Sequence, residues 1–301
     1  MAKSTAALDE GAPRPRSAAG RDTMLTCPAC GTRTPQRFLY AKNSCDIFQC
    51  AMCGLGRTQA PVFDPAAYYT DGYFSGHHAD GYADYLGAAP VLRREFARTV
   101  DFIRRYRRSG NLLEVGCAYG FFLQEAKRYF TVRGIEVAAD AAAYCRREGL
   151  AVVTGTVDIV DRIGGGPFDA IVLLDVIEHL PDPHAAITAL APALAPGGVI
   201  VLTTGDFGSL PARALGAAWR LMTPPQHLWF FTRPSIERLA GGAGLEVAAL
   251  DHPWKIVPFS LIAYHLGRMA GRRVKLPASR IGLPINLFDA MRVVLRRRGT
   301  P

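Results

Sequence analysis

The stretch Leu112-Leu113-Glu114-Val115-Gly116-Cys117-Ala118-Tyr119-Gly120 decides the fold of this chain. It is typical of a short apolar strand that runs into a turn of small residues and then opens a helix. Small residues let the backbone approach a bound ligand closely. Twenty positions after Gly116, Glu136 stands at the end of the next apolar strand, where a carboxylate can hold both hydroxyls of a ribose. The pattern therefore indicates a nucleotide site at one edge of a sheet.

Strands and helices alternate on both sides of this stretch. Such alternation predicts an α/β domain with a mostly parallel sheet and helices on both of its faces. The predicted strands are 112–115, 132–136, 151–154, 168–174, 199–203 and 245–250, and the predicted helices are 92–106, 121–129, 138–147, 182–194 and 234–241. In the fourth helix, Asp182 is the expected N-cap and Pro183 the expected first residue.

Two C-x2-C pairs precede the α/β pattern, Cys27 with Cys30 and Cys50 with Cys53. One such turn places two thiolates at two corners of a tetrahedron, and two turns complete it. A site with four thiolates has no open position, so we expect structural Zn²⁺ in a zinc ribbon. The alternative is four unrelated cysteines in a core.

The chain then divides into four predicted parts. They are a disordered tail (1–23), the zinc ribbon (24–60), a tyrosine-rich linker with a helix (61–110) and the α/β domain (111–301), with an insert near 206–232 and a basic C-terminal segment. Residues 1–22 lack the apolar core of a secretory signal, which favours a cytoplasmic protein.

The motif E-x-G-x-[GA]-x-G, followed by an acid at the next strand end, resembles the first two motifs of the class I methyltransferases that use S-adenosyl-L-methionine. The stretches 168–180 and 194–199 resemble the fourth strand with its following loop and the L-x-P-G-G turn of that family. A dinucleotide fingerprint would need glycine where Phe121 stands. The resemblance implies a Rossmann-like sheet of seven strands, with 287–295 as the last, antiparallel one.

The resemblance also assigns roles to residues around the S-adenosyl-L-methionine site. Glu114 would hold the methionine end, Glu136 the ribose, and Asp175 would lie near the sulfonium. The segment Thr156-Val157 would border the adenine. The backbone of the turn would pack beside the cofactor at Gly116, Cys117, Ala118 and Gly120.

Three side chains are candidates for acid–base chemistry. His179 follows the fourth strand, and His227 lies in Pro224-Pro225-Gln226-His227-Leu228-Trp229-Phe230-Phe231-Thr232, which resembles the P-x-H-x-x-x-F-[ST] segment of small-molecule methyltransferases. Histidine titrates near neutral pH and therefore suits a general base. The alternatives are that His179 orders a loop and that His227 caps or packs one. Glu178 is expected to steer a cationic acceptor or to face solvent.

The ribbon, the tyrosine-rich linker and the H-L-W-F-F-T stretch together resemble bacterial methyltransferases of sugars and small metabolites, including the deoxysugar C-methyltransferases. Those carry a longer C-terminal domain than the 301 residues here provide. The expected acceptor is a small molecule of natural-product biosynthesis, anionic or nucleotide-linked, methylated at a hydroxyl, an amine or an acidic carbon.

The distribution of basic residues leaves further functions open as alternatives. The formal net charge is +9, and nine of the basic residues lie in 266–301 against the single acid Asp289. A basic segment attracts RNA, an anionic membrane surface or an anionic substrate, or is simply solvated. An RNA methyltransferase, a peripheral membrane contact through 258–275, a non-catalytic adaptor and a homodimer all remain alternatives to a small-molecule enzyme.

Overall fold

The structure, a computed structural model, describes residues 22–59, 85–259 and 282–299. Residues 1–21 of the predicted tail, the linker tyrosines at 68, 69, 73 and 82 and most of the proposed membrane-contact segment lie outside the described residues. Thr23, predicted as the end of the tail, is the first residue of a strand. Within those ranges, no helix is both long and apolar enough to cross a membrane.

A five-stranded antiparallel sheet forms the N-terminal unit, which we call the ribbon. Its first four strands are β1 (Thr23–Cys27), β2 (Thr32–Lys42), β3 (Cys45–Cys50) and β4 (Gly56–Gln59). The fifth strand, β10 (Trp229–Phe230), comes from far along the chain and pairs with β4. The ribbon is therefore completed by a strand that follows His227 in the sequence.

A seven-stranded sheet forms the centre of the second unit, which we call the α/β domain. Its strands are β5 (Gly110–Val115), β6 (Phe130–Glu136), β7 (Val152–Thr154), β8 (Phe168–Leu174), β9 (Leu194–Gly205), β11 (Leu245–Asp251) and β14 (Ala290–Arg297). The order is β11-β14-β9-β8-β5-β6-β7, and β14 is antiparallel to both of its neighbours. The predicted seven-stranded, mostly parallel sheet is confirmed. The strand order reverses between β5 and β8, and ligands of such sheets bind at that switch point.

Helices cover both faces of this sheet, as predicted. They are α1 (Ala89–Ile103), α2 (Phe121–Ala126), α3 (Ala139–Arg147), α4 (Pro183–Leu190) and α6 (Arg233–Gly242), whereas α5 (Leu210–Leu215) packs in a cluster with Ile47 of the ribbon. Along β8, Ile171 joins the core beneath α4 and α6, whereas Ala170 and Val172 join the core beneath α1 and α2. Because both faces of β8 are buried, its sequence is continuously apolar rather than alternating.

Local signals at the helix ends explain where the helices begin. The Asp182 side chain accepts a hydrogen bond from the backbone N–H of Ala185 at 2.9 Å, which confirms the predicted N-cap. Helix α6 begins with a capping box between Thr232 and Ser235. The last strand starts at Ala290, three residues later than expected, because Asn286 accepts a hydrogen bond from the N–H of Phe288 and forms a turn there.

The described part of the basic C-terminal segment is not a solvated tail. It consists of β13 (Gly282–Ile285), which pairs antiparallel with β12 (Lys255–Pro258), and of β14 inside the large sheet. On β14, Arg292 donates to Asp251 at 2.9 Å and Arg296 donates to Glu246 at 2.8 Å. These charges are neutralised within the fold, which corrects the alternative of a solvated segment for this stretch.

Candidate active site and cysteine cluster

The turn between β5 and α2 has the left-handed backbone that its small residues allow. The φ angles of Gly116, Ala118 and Gly120 are 73°, 45° and 71°. A Cβ atom on Gly116 would lie 2.6 Å from a methyl carbon of Val176 in the loop after β8. Glycine is therefore required at this position for both its conformation and its close approach.

Glu136, at the end of β6, ties the turn to the sheet. Its Oε2 accepts from the backbone N–H of Ala118 at 2.7 Å, and its Oε1 accepts from that of Ala138 at 2.8 Å. Burial raises the pKa of the carboxyl, and these two N–H donors oppose that rise. Each carboxylate oxygen keeps further capacity to accept a hydrogen bond, as a pair of ribose hydroxyls would require.

Glu114, on β5, is a buried carboxyl whose Oε2 has no hydrogen-bond partner in the described part of the chain. Burial raises the pKa of this carboxyl well above its usual range. A buried, unpaired carboxyl costs free energy and is normally matched by a donor or a cation. Its environment therefore fits a cationic ligand group beside the turn.

Cys117 is inert in this environment. The hydrogen bond that the Cys117 thiol donates to the side chain of Cys145, together with burial, raises the pKa of the Cys117 thiol well above its ordinary value. Nucleophilic cysteines have a lowered thiol pKa and partial exposure. The side chain therefore packs in the core beneath the turn, in the same cluster as Leu123.

The segment after β7 starts with Thr156 and continues into a short 3₁₀ helix, Val157–Ile159. The Thr156 hydroxyl donates to the carboxylate of Asp158 within the segment. The backbone N–H of Gly155 donates to the carbonyl oxygen of Glu136 at 3.0 Å, which holds the start of the segment at the same edge of the sheet as the turn. Nothing in these contacts identifies an adenine partner, so the role of Thr156 and Val157 stays a prediction.

Asp175 follows β8 with a φ of 54° and is held by two side chains. Its Oδ1 accepts from the Thr203 hydroxyl at 2.7 Å, and its Oδ2 lies 2.6 Å from Nζ of Lys255 on β12. Although desolvation opposes the effect, the Lys255 ammonium holds the pKa of Asp175 below its usual range. Asp175 is therefore ionised and already paired at the edge where the sulfonium was predicted.

Glu178, His179 and His227 come together at this edge from two separate segments. One carboxylate oxygen of Glu178 and one ring nitrogen of each histidine lie within 4.8 Å of one another. The two imidazole rings meet edge to face, with centroids 4.7 Å apart. All three predicted catalytic side chains thus form one cluster, which we call the Glu-His-His cluster.

Backbone carbonyls fix the tautomer of both imidazoles. Nδ1 of His179 lies 2.8 Å from the carbonyl oxygen of Gln226, and Nδ1 of His227 lies 2.8 Å from that of Leu221. A carbonyl oxygen only accepts, so each Nδ1 carries a proton and each neutral ring has its lone pair on Nε2. Burial lowers the pKa of His179 to about 4 and that of His227 to about 3, so both rings are neutral at pH 7.

The ribbon contacts the Glu-His-His cluster directly. The Thr58 hydroxyl on β4 donates to the carbonyl oxygen of His227 at 2.6 Å, and the backbone N–H of Thr58 donates to that of Leu228 at 2.9 Å. The backbone that carries His227 is therefore bound between the ribbon and the α/β domain.

The four predicted ligand cysteines of the ribbon form a single cluster. The Sγ atoms of Cys27 and Cys53 are 3.6 Å apart, and those of Cys30 and Cys50 are 3.9 Å apart. Thiolates around one tetrahedral Zn²⁺ at 2.3 Å are separated by about 3.8 Å, whereas a disulfide would need about 2.05 Å. The donor set and its spacing therefore fit a structural zinc ion.

Comparison with known proteins identifies the family of the α/β domain. A family model described as a methyltransferase domain matches residues 89–250, more than half of the chain. The chain belongs to this methyltransferase family. The match spans the turn, Glu114, Glu136 and Asp175, and it confirms the prediction of a methyltransferase.

The individual relatives are also named as methyltransferases, and they differ in the share of this chain that they match. A ubiquinone biosynthesis O-methyltransferase of Methylococcus capsulatus is 28% identical over 192 residues, covering 58% of this chain and 81% of the relative. A second ubiquinone biosynthesis O-methyltransferase, from Caulobacter sp. strain K31, is 29% identical over 155 residues. That match covers 43% of this chain and 62% of the relative. A magnesium protoporphyrin IX methyltransferase structure from Synechocystis, with bound S-adenosylhomocysteine, has 14% identity and a TM-score of 0.46, covering 70% of this chain and 85% of that one.

The sequence alone does not identify two side chains at the site of this methyltransferase. Lys255 pairs with Asp175 across eighty positions, and Thr58 binds the backbone of His227 from the ribbon. Neither residue belongs to a local motif, because each contact exists only after distant segments have packed.

Proposed function

We propose that this methyltransferase transfers a methyl group from S-adenosyl-L-methionine to a hydroxyl of a small molecule. The family match supports the reaction, and the relatives named ubiquinone biosynthesis O-methyltransferases support a hydroxyl acceptor. The observation that carries the proposal is the Glu-His-His cluster, which lies beside Asp175 at the carboxyl edge of the sheet.

The residues around the turn fit the cofactor. The unpaired Oε2 of Glu114 suits the ammonium of a methionine, and the carboxylate of Glu136 suits the two ribose hydroxyls. Glycine at position 116 removes the side chain that would block close approach. S-adenosyl-L-methionine supplies a methyl group already activated by its sulfonium, so the protein mainly has to align the acceptor.

The Glu-His-His cluster would promote loss of the acceptor proton. A hydroxyl is a weak nucleophile until its proton is removed or its oxygen is polarised. The cluster suits polarisation of the hydroxyl oxygen rather than direct removal of its proton, because imidazoles with pKa values of about 4 and 3 are weak bases. Glu178 does not face solvent, which was the other reading of this residue, because it is buried.

The first experiment is calorimetry of zinc-replete protein with S-adenosyl-L-methionine and with S-adenosylhomocysteine. We expect binding in the micromolar range, weakened at least tenfold by Glu136→Ala and unchanged by Glu148→Ala, an exposed acid after α3. Absence of heat with folded protein would contradict the proposal and favour the adaptor alternative.

The acceptor is then tested with labelled cofactor. Catechols, nucleotide-linked sugars and RNA are offered separately, and the product is analysed for an O-methyl group. Transfer to a small hydroxyl compound supports the proposal. Transfer to RNA alone, or to an amine or a carbon alone, would overturn the acceptor assignment and leave the family unaffected.

A further inference from the structure

We infer that Glu178, His179 and His227 form a second metal site, specific for a divalent first-row transition cation such as Zn²⁺, Mn²⁺ or Co²⁺. It is distinct from the four-cysteine cluster of the ribbon. Binding of the cation follows from the geometry alone, and its role, activation of the acceptor hydroxyl, rests on the proposed function.

The distances between the three ligand atoms are close to the distances between ligands around a bound metal ion. They lie within 4.8 Å of one another. Ligands at about 2.0–2.2 Å from a tetrahedral ion are separated from one another by about 3.4 Å. Side-chain rotations that move the ligand atoms by about an ångström therefore bring all three into contact with one cation. Glu178 and His179 lie in a short 3₁₀ helix after β8, and His227 approaches from the segment before β10.

The orientation of the imidazoles is the one that metal-bound histidines adopt. In such sites the nitrogen that does not bind the metal donates its N–H to a backbone carbonyl or a carboxylate. Here Nδ1 of His179 donates to Gln226 and Nδ1 of His227 donates to Leu221, both at 2.8 Å. Both rings are thereby fixed with Nε2 as the ligand atom before any metal arrives.

Glu178 provides a second observation in favour of a cation, independent of the orientation of the imidazoles. Its side chain is 97% buried, and its Oε2 has no hydrogen-bond partner among the described residues. A buried carboxylate oxygen without a partner is costly, and a cation placed between it and two imidazoles removes that cost. The unpartnered oxygen of Glu178 beside two imidazoles is therefore an environment that a bound cation would complete.

The donor set selects the class of cation. Two imidazoles and one carboxylate suit zinc and its first-row neighbours, whereas Mg²⁺ and Ca²⁺ prefer oxygen ligands throughout. Three protein ligands leave at least one position open, as in catalytic rather than structural zinc sites. A cation there would lower the pKa of a hydroxyl that coordinates to it, so that the hydroxyl would release its proton to solvent water and the remaining oxyanion would accept the methyl group.

The test measures metal binding without cofactor or acceptor. Protein with one zinc retained in the ribbon is titrated with Co²⁺ and followed by visible absorption and calorimetry. We expect one further equivalent to bind, with d–d bands and without the thiolate charge-transfer bands of a four-cysteine site. Glu178→Gln and His227→Ala should each weaken this binding at least tenfold, whereas His184→Asn, on α4, should not.

Two controls separate the outcomes. Retention of the ribbon zinc and of S-adenosyl-L-methionine binding shows that the variants are folded. No second equivalent, or equal binding by wild type and Glu178→Gln, would overturn the site. If Co²⁺ binds as expected but no acceptor is methylated, the site stands and the proposed function fails. Equal rates of methyl transfer with and without the second metal would overturn its role alone.

Discussion

The Thr58 hydroxyl on the ribbon donates a hydrogen bond to the backbone carbonyl of His227, and the two oxygens are 2.6 Å apart. Because Thr58 is buried, this bond is shielded from water. The ribbon thus positions the backbone of a residue of the Glu-His-His cluster. The hydrogen bond links the unit that carries the four-cysteine cluster to the proposed active site in the α/β domain.

Replacing Thr58 with valine tests this link. Thr58→Val keeps the shape and the backbone N–H bond to Leu228 but removes the hydroxyl donor. Loss of one such bond costs about 1 kcal/mol, so we expect kcat to fall roughly fivefold. The dissociation constant of S-adenosyl-L-methionine should not change, since the turn lies elsewhere. Thr58→Ser should restore kcat, and an equal loss in both variants would contradict the positioning role.

Arg238 on α6 is expected to help the ribbon retain zinc. Its Nη1 donates to Sγ of Cys30 at 3.3 Å, which stabilises a thiolate there. We expect Arg238→Gln to accelerate zinc loss to a chelator, by up to about tenfold. The matched control is Arg233→Gln on the same helix, whose side chain pairs with Glu237 instead. Release followed with a metal indicator at the same rate in both variants would exclude this contribution.

Glu114 should make the stability of the protein depend on pH. Burial raises the pKa of the folded carboxyl well above its usual range, so the folded state keeps a proton that the unfolded state loses. The free energy of unfolding therefore falls as pH rises above about 4.3, the unfolded value, until the folded pKa is passed. Glu114→Gln should remove this decline and stabilise the ligand-free protein at pH 8 by about 1–3 kcal/mol.

Urea unfolding at pH 5 and pH 8 measures this effect, with Glu148→Gln as the exposed control. The same Glu114→Gln protein should bind S-adenosyl-L-methionine more weakly, because the cofactor's ammonium loses its carboxylate. A variant that is less stable than wild type at pH 8 would show that Glu114 has a stabilising partner.

Lys255→Met tests the ion pair with Asp175. The depressed pKa of Asp175 contributes stability above its unfolded value of about 3.9, and this contribution is lost as pH falls through the folded pKa. Since both side chains are partly exposed, the loss at pH 7 should be below about 1 kcal/mol. NMR titration should show a higher pKa for Asp175. The exposed Lys127→Met should leave that pKa unchanged, and no shift in Lys255→Met would exclude the pairing.

Much of the α/β domain could be predicted from local signals. The buried strand at 168–174 was predicted with the bounds that the structure shows, because a strand buried on both faces is continuously apolar. The cap at Asp182 followed from one side chain and one proline. Such features depend on residues that are close together in the sequence, so the sequence alone is sufficient to predict them.

Other features depend on tertiary contacts and could not be predicted. The two histidines were proposed as separate candidates, and only packing reveals that their rings are 4.7 Å apart. Strand β10 has two residues, too few for any periodic signal, and it exists because β4 offers an unpaired edge. The arginines of β14 look like a basic tail in sequence because their acidic partners lie elsewhere in the chain.

The pairing of β4 with β10 also has a consequence for synthesis on the ribosome. The cysteines and β4 emerge first, but the strand that covers β4 is made only when Trp229 and Phe230 follow. During that interval the edge of β4 is exposed and can pair with other chains. Nascent chains that stall before Trp229 should therefore aggregate through the ribbon more readily than chains that stall just after Thr232.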